Sequence, residues 1–529
     1  MKRTLSLLLA VLMVIAMLPA ALADEAYTTY VRAQTDAGII QGYNYDGVNT
    51  FLGVQYATAE RFQMPQKVQP WEGVKLAMYV GEVAPTNKTT TSGAEFITPS
   101  GVDSVENEAT CLNLNIWTPT MDPDANLPVL FWIHGGGYSS GSSIELTYYE
   151  GRNLAATGEC VFVSINHRLN VLGYLDLSAY GEEYKYTGNL GQFDMIAALE
   201  WVQANIKNFG GDPTNVTIDG QSGGAGKVMT LLGMPAAQGL FAKAVVQSGS
   251  ASNTPQETSV ANTAKMMENL GLTQDAAGVE ALKAMPYVEL LAAANAARAG
   301  SGPVVDGDAY PTCTITDGVW TSLSVDKPVM IGTALTEIAG NNVKNIGRLG
   351  RFPADGDLSA YALPEMSEEK FWELAKAKWG DKAEAAVEAF KKAYPSLDYR
   401  HCLFTVARND NAAAAKAAAG GKAYSYIYSY VFPIFGGCGA WHTGGDIPFF
   451  FRNIDKVDYM IVGDRDGAHK LEGTASRALL NFIKTGDPSQ DGLAWEAYTA
   501  ENGAVMIFDV NSEVRSFHDA EFQAILSGN

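Results

Sequence analysis

The stretch Val216-Thr217-Ile218-Asp219-Gly220-Gln221-Ser222-Gly223-Gly224, followed by Val228 to Leu232, decides how this 529-residue chain is read. Val216 to Asp219 has the β-branched, apolar pattern of a buried strand, and Val228 to Leu232 continues as a helix. A serine on so tight a strand-to-helix turn must take a strained backbone, and glycines two residues to either side leave room for close packing. The turn lifts the hydroxyl above the sheet and aims the following helix N-terminus at it. Backbone amides and the helix dipole then stabilise negative charge developing on a substrate oxygen. Gly-x-Ser-x-Gly alone recurs by chance in glycine-rich chains, so the strand before it and the helix after it carry the inference that Ser222 is a nucleophile.

Outward from this turn, strands alternate with helices. Leu130 to Ile133 and Val161 to Ile165 read as buried strands, and Ala242 to Gln247 as the next. Phe193 to Phe209 carries Ile196, Leu199, Val202 and Ile206 at spacings of three and four, a helix stopped by Gly210-Gly211-Asp212-Pro213. This alternation predicts an α/β fold with a mainly parallel sheet covered on both faces. After Ser250 the texture changes. Residues 259–299 and 367–393, with the Ala- and Gly-rich 411–421, predict helical insertions over one edge of the sheet. Pro328 to Ile331 and Tyr424 to Tyr430 predict two more strands. We expect one catalytic domain over 24–529, with insertions at roughly 259–299 and 367–420.

A second signal follows the Leu130 strand: His134-Gly135-Gly136-Gly137. Consecutive glycines let amides face a ligand without side chains in the way, as a site for an oxyanion requires. Gly135 and Gly136, with Gly223 just past the serine, are the candidate donors, and His134 reads as structural. Serine also needs a general base, because an alcohol is a poor nucleophile at neutral pH. The chain order serine, acid, histidine sets aside His134 and His167 and leaves His401, His442, His469 and His518. His442 lies in the glycine-flanked loop Gly439-Ala440-Trp441-His442-Thr443-Gly444-Gly445-Asp446 and is the favoured base. Glu337, beyond the apolar Pro328 to Ile331 run, fits a strand-end position for the acid that orients the imidazole; Asp306 and Asp317 stay open.

Composition bounds the rest. Lys2 and Arg3, the apolar run Leu5 to Leu18 and Ala21-Leu22-Ala23 form an export signal over residues 1–23, so the protein is expected to be secreted, extracellular or periplasmic. No other stretch is apolar enough to span a bilayer. Removing the signal takes two cations with it and deepens the formal net charge of −21. Such acidity makes nucleic acid and anionic lipid unlikely partners. Five cysteines, Cys111, Cys160, Cys313, Cys402 and Cys438, are too scattered for a disulfide framework. No Cys-x-x-Cys or His-Glu-x-x-His arrangement points to a metal, and the chemistry calls for no cofactor.

At these residues the sequence resembles the type B carboxylesterase family of α/β-hydrolases, which includes secreted esterases and lipases, the cholinesterases and the non-catalytic neuroligins. The resemblance runs from Phe51-Leu52-Gly53-Val54-Gln55-Tyr56-Ala57 to Trp495 and Tyr498. It includes Cys111 to Ile116, Pro128 to Gly137, Asn166 to Leu175, Gly188 to Asp194, Phe209 to Pro213, Gln247 to Ser250, Pro303 to Gly307, Gly332 to Glu337 and Thr485 to Pro488. It implies the α/β-hydrolase fold, Ser222 as nucleophile, Glu337 as acid and His442 as base. It also implies an oxyanion hole from Gly135, Gly136 and Gly223, and a small carboxylic ester as substrate. A lipase or a feruloyl or acetyl esterase would use the same triad, and a neuroligin-like binding protein would lack it.

Departures from the family pattern are specific. Gln221 and Gly223 flank the serine where the family has Glu and Ala. No cysteine precedes Cys111, so the family's first disulfide is missing. Asp446 follows His442 by four residues rather than three. Ala109-Thr110 replaces an acidic pair, which leaves Arg61 to Glu106 or Glu108.

Overall fold

Along Leu127–Ile133 the side chains alternate between two cores: Val129, Phe131 and Ile133 join one, Leu130 and Trp132 the other. A strand buried on both faces needs helices above and below it, and the chain supplies them. The structure is a computed structural model and describes residues 29–86, 105–251, 254–337, 366–405, 410–434, 437, 439–440 and 445–528.

The main sheet uses β1 (Thr29–Gln34), β2 (Ile39–Tyr45), β3 (Val48–Gln55), β4 (Asn113–Thr118), β5 (Leu127–Ile133), β6 (Val161–Ile165), β7 (Gly211–Gln221) and β8 (Lys243–Gln247). It continues through β9 (Val329–Ala334), β10 (Ala423–Tyr428), β11 (Ala504–Phe508) and β12 (Glu513–Ser516). Their spatial order is β1-β2-β3-β4-β6-β5-β7-β8-β9-β10-β11-β12, and a short strand, Val74–Leu76, pairs beside β2. From β6 to β11 every pairing is parallel, whereas β1 to β4 and β12 pair antiparallel. The predicted parallel sheet is therefore the centre of a mixed one. The serine-bearing strand lies within that centre, between β5 and β8.

The helices that frame the site are α1 (Leu190–Asn205), α2 (Gly223–Leu232), α3 (Gln256–Asn269), α4 (Ala276–Ala284) and α5 (Tyr287–Ala297). They are followed by α6 (Glu368–Trp379), α7 (Ala383–Ala393), α8 (Asp410–Ala418) and α9 (Arg465–Thr485). The helix predicted to reach Phe209 ends at Asn205, and Ile206–Phe209 tightens into a 3-10 turn closed by Gly210 at φ 75°. Left-handed backbone of this kind is what glycine adopts without a Cβ penalty. The predicted insertions resolve into α3–α5, which share a small core of their own with Val171 and Leu172, and into α6–α8. Among the described residues, no helix is long and apolar enough to cross a membrane.

Candidate active site

Ser222 sits between the end of β7 and the start of α2 with φ 56° and ψ −121°. A non-glycine residue there is strained, and the neighbours hold it in place. Its amide donates to the Gln247 carbonyl at 2.8 Å, and its own carbonyl accepts from Gly226 N at 3.1 Å. The flanking glycines permit the turn. A Cβ on Gly220 would lie 2.4 Å from the Gly224 carbonyl carbon, and one on Gly224 would lie 2.1 Å from the Ile133 oxygen. Ser222 itself remains partly exposed.

The glycine loop after β5 folds over this turn. A Cβ on Gly135 would be 3.5 Å from Ser222 Cβ, and one on Gly223 would be 2.4 Å from Gly137 N and 2.2 Å from Gly137 O. Gly136 and Gly137 both have positive φ, 82° and 62°. Among the described residues, the amides of Gly135, Gly136, Gly137 and Gly223 donate to no protein acceptor. Sequence reasoning stopped at Gly136; the structure adds Gly137 as the loop residue that lies against Gly223. His134 is fully buried, its ring stacked on His167 at 4.8 Å, and burial holds both imidazoles well below their usual range.

Glu337 follows the end of β9. One carboxyl oxygen accepts from the Ala334 amide at 2.8 Å, and the Ser248 hydroxyl also faces the carboxyl. Burial outweighs both and pushes the group up to about 7. Ser248 was not singled out by sequence reasoning, although it lies in the Gln247-Ser248-Gly249-Ser250 stretch. It has φ 54°, and its amide donates to the Gly332 carbonyl at 2.8 Å, which ties the end of β8 to the strand carrying Glu337. The Gly249 Cα packs against the Ser222 carbonyl, with 2.3 Å between that oxygen and a notional Cβ.

His442 lies outside the described residues, as do Trp441 and Gly444. The chain is described up to Ala440, whose amide donates to Thr336 Oγ1 at 2.8 Å and whose carbonyl accepts from Thr336 N at 2.9 Å. Thr336 immediately precedes Glu337. On the far side, Asp446 is buried, accepts from Ile447 N at 2.9 Å, and interacts electrostatically with Asp219 of β7.

The other histidines are elsewhere. His469 stands half-exposed on α9 beside Glu472 at 3.5 Å. His518 packs edge-on to the Tyr394 ring at 4.6 Å, and His401 is buried in the 3-10 turn Tyr399–Phe404, where burial lowers it to about 4. Asp306 accepts from Asn189 at 3.1 Å and shapes its own loop, while Asp317 sits in the turn between two short strands, Ile315–Thr316 and Val319–Trp320. Neither is bonded to the serine turn among the described residues.

Arg61 finds its carboxylate in Glu108, at 2.9 Å from Nε, and also reaches the carbonyls of Lys283, in the last turn of α4, and of Met285 just beyond it. Cys111, Cys160, Cys313 and Cys402 are free thiols. A cavity of about 620 Å³ opens beside Gly249, lined by Met229, Ile315, Ile331, Ala412 and Ala415 among others. Among the described residues, no group of three or more His, Cys, Asp or Glu is placed to hold a metal ion.

The sequence pattern of the carboxylesterase family matches residues 28–525. The chain belongs to the carboxylesterase family. It is 30% identical over 519 residues to a para-nitrobenzyl esterase of Bacillus subtilis, covering 93% of this chain and 97% of that protein. It is 29% identical over 519 residues to a phenmedipham hydrolase of Pseudarthrobacter oxydans, covering 91% and 96%. Among solved structures it resembles an esterase from Clostridium hathewayi with a TM-score of 0.83 and 35% identity, over 95% of this chain and all of that one. This carboxylesterase is thus an enzyme of the serine-hydrolase type acting on small carboxylic esters.

Proposed function

We propose that Ser222 is the nucleophile, Glu337 the acid and His442 the base of a secreted carboxylic-ester hydrolase. His442 removes the hydroxyl proton as Ser222 Oγ attacks the ester carbonyl carbon, and Glu337 steadies the imidazolium that results. The carbonyl oxygen becomes an oxyanion received by amides of the Gly135–Gly137 loop and Gly223. His442 then gives its proton to the departing alcohol, and the same imidazole activates water to release the acid from Ser222. No metal or organic cofactor enters any of these steps.

The observation that carries this reading is the strained Ser222 backbone, packed against a glycine loop whose amides donate to no acceptor among the described residues. The desolvated Glu337 carboxyl supports the acid, because a carboxylate sheltered from water interacts strongly with an imidazolium. The Ala440–Thr336 pairing supports His442, because it fixes the chain two residues before that position against the residue preceding Glu337. Ser222→Ala should abolish turnover of a p-nitrophenyl acyl ester and leave the thermal melt nearly unchanged; retained turnover refutes the nucleophile.

The relatives' names speak of para-nitrobenzyl esters and of aliphatic aromatic polyesters. With the cavity beside Gly249 walled by small and apolar side chains, they favour esters bearing a bulky or aromatic group. A panel of benzyl, short acyl, feruloyl and emulsified triglyceride esters tests this, and preference for emulsified triglyceride would replace esterase by lipase. Export is tested by N-terminal sequencing of protein recovered outside the cytoplasm, which should begin at Asp24; retention of residues 1–23 rejects cleavage.

A further inference from the structure

Lys227 lies on α2, five residues beyond Ser222, and exposes none of its surface. Val228, Met229, Leu231 and Leu232 beside it are core residues, so an ammonium there is costly to desolvate. A lysine kept in a core is ordinarily matched by a bonded carboxylate. This one has none among the described residues; its Nζ donates to the carbonyl oxygen of His134 at 3.1 Å. His134 is the last residue before the glycine loop, so the bond holds the root from which Gly135, Gly136 and Gly137 depart.

Four groups face the amine. The imidazoles of His134, at the end of β5, and of His167, beyond β6, are stacked and held neutral by burial. The Tyr138 ring lies 6.0 Å from Nζ, on the same loop. The Glu145 carboxylate attracts the ammonium without outweighing burial, which lowers the lysine to about 7.

We propose that Lys227 is a positioning residue for ester hydrolysis, holding the His134 carbonyl so that the glycine loop keeps its amides on the substrate oxygen, and adding positive charge behind them. The proposal rests on the Ser222 mechanism above. Negative charge reaches the substrate oxygen only in the tetrahedral state, so the ammonium acts on kcat and hardly on KM. Loss of its proton leaves a hydrogen bond but removes the charge. Hence kcat falls on the alkaline side, with a midpoint well below the ordinary lysine range.

The test compares wild type, Lys227→Met and Lys227→Arg by kcat, KM and pH profile, thermal melt, fluorophosphonate labelling and affinity for an aryl trifluoromethyl ketone, which forms a tetrahedral adduct. Lys227→Met should lower kcat by roughly ten- to a hundredfold, change KM by less than about threefold, weaken ketone affinity in step with kcat, and lose the alkaline limb. Lys227→Arg should restore much of kcat and move that limb upward, since guanidinium keeps its charge. Wild-type kcat and pH profile in folded Lys227→Met overturn the proposal. If Lys227→Met does not fold, the wild-type enzyme decides: kcat flat to the ordinary lysine range overturns it as well. Failure of wild type to take the fluorophosphonate would instead sink the Ser222 reading, which keeps the two claims separate.

Discussion

Two carboxyl groups near the serine are pushed up by burial, with different consequences. In the proposed mechanism Glu337 ionises to steady an imidazolium, and burial pushes it up to about 7. The acidic limb of the activity profile is therefore expected to follow this group, on the opposite side of the maximum from the fall set by Lys227. Glu337→Gln should lower kcat roughly 10³- to 10⁴-fold with KM little changed, as steady-state kinetics would report. Asp219 is fully buried on β7; burial raises it to about 8, against the hydrogen bond that Gln247 donates at 2.9 Å. The folded chain thus keeps a proton there that the unfolded chain releases near pH 4, so stability falls as pH climbs from about 4 to about 8. Asp219→Asn should remove that slope and melt higher than wild type at pH 9, by the equivalent of about a few kcal/mol; an unchanged slope in a pH series of melts would contradict this. At this scale the sequence pointed to residues that belong to a pattern. Ser222 stood out through its glycines, and Glu337 through the strand before it. Lys227 did not, although a lone cation among Val228, Met229, Leu231 and Leu232 was a signal that the apolar helix pattern masked.

Elements were legible where an unbroken apolar run marked them; β4, buried throughout but interrupted by Asn113 and Asn115, was not read as a strand. β5, β6, β7 and β8 are runs of β-branched and apolar residues because both faces are covered, and they were read within a few residues of their ends. The antiparallel margin was not read, for a physical reason: β1 buries only Ala33, so its sequence carries no periodic apolar signal. α9 was also missed, since Gly467, Gly473 and several polar residues dilute its apolar face. The join between β7 and α2 gives the sharpest prediction. A methyl group on Gly224 would meet the Ile133 oxygen at 2.1 Å and the His134 oxygen at 2.8 Å, both main-chain atoms that cannot swing aside. Gly224→Ala should cost about 1–3 kcal/mol or more and lower the melting temperature together with esterase activity. A variant with wild-type melt and rate would show that α2 has slack.

Across the whole molecule, the formal net charge of −21 gives the protein a negative overall field, whose reach to the site substrates can report. For matched ester pairs, kcat/KM of a cationic substrate should fall as ionic strength rises, while that of an anionic one should rise or hold, because salt screens both effects. Equal salt responses would mean that the charge lies away from the mouth. Cys111, Cys160 and Cys402 are buried as free thiols, so packing rather than cross-linking holds the segments around them. What joins the segments proposed for catalysis, as far as they are described, is a seam of main-chain bonds across neighbouring strand ends: Ser222 to Gln247, Ser248 to Gly332, Thr336 to Ala440. A seam stitched from peptide groups is indifferent to side-chain identity. Mutation can remodel the walls that choose an ester, over many generations, while the spacing between hydroxyl and carboxyl stays registered by the sheet.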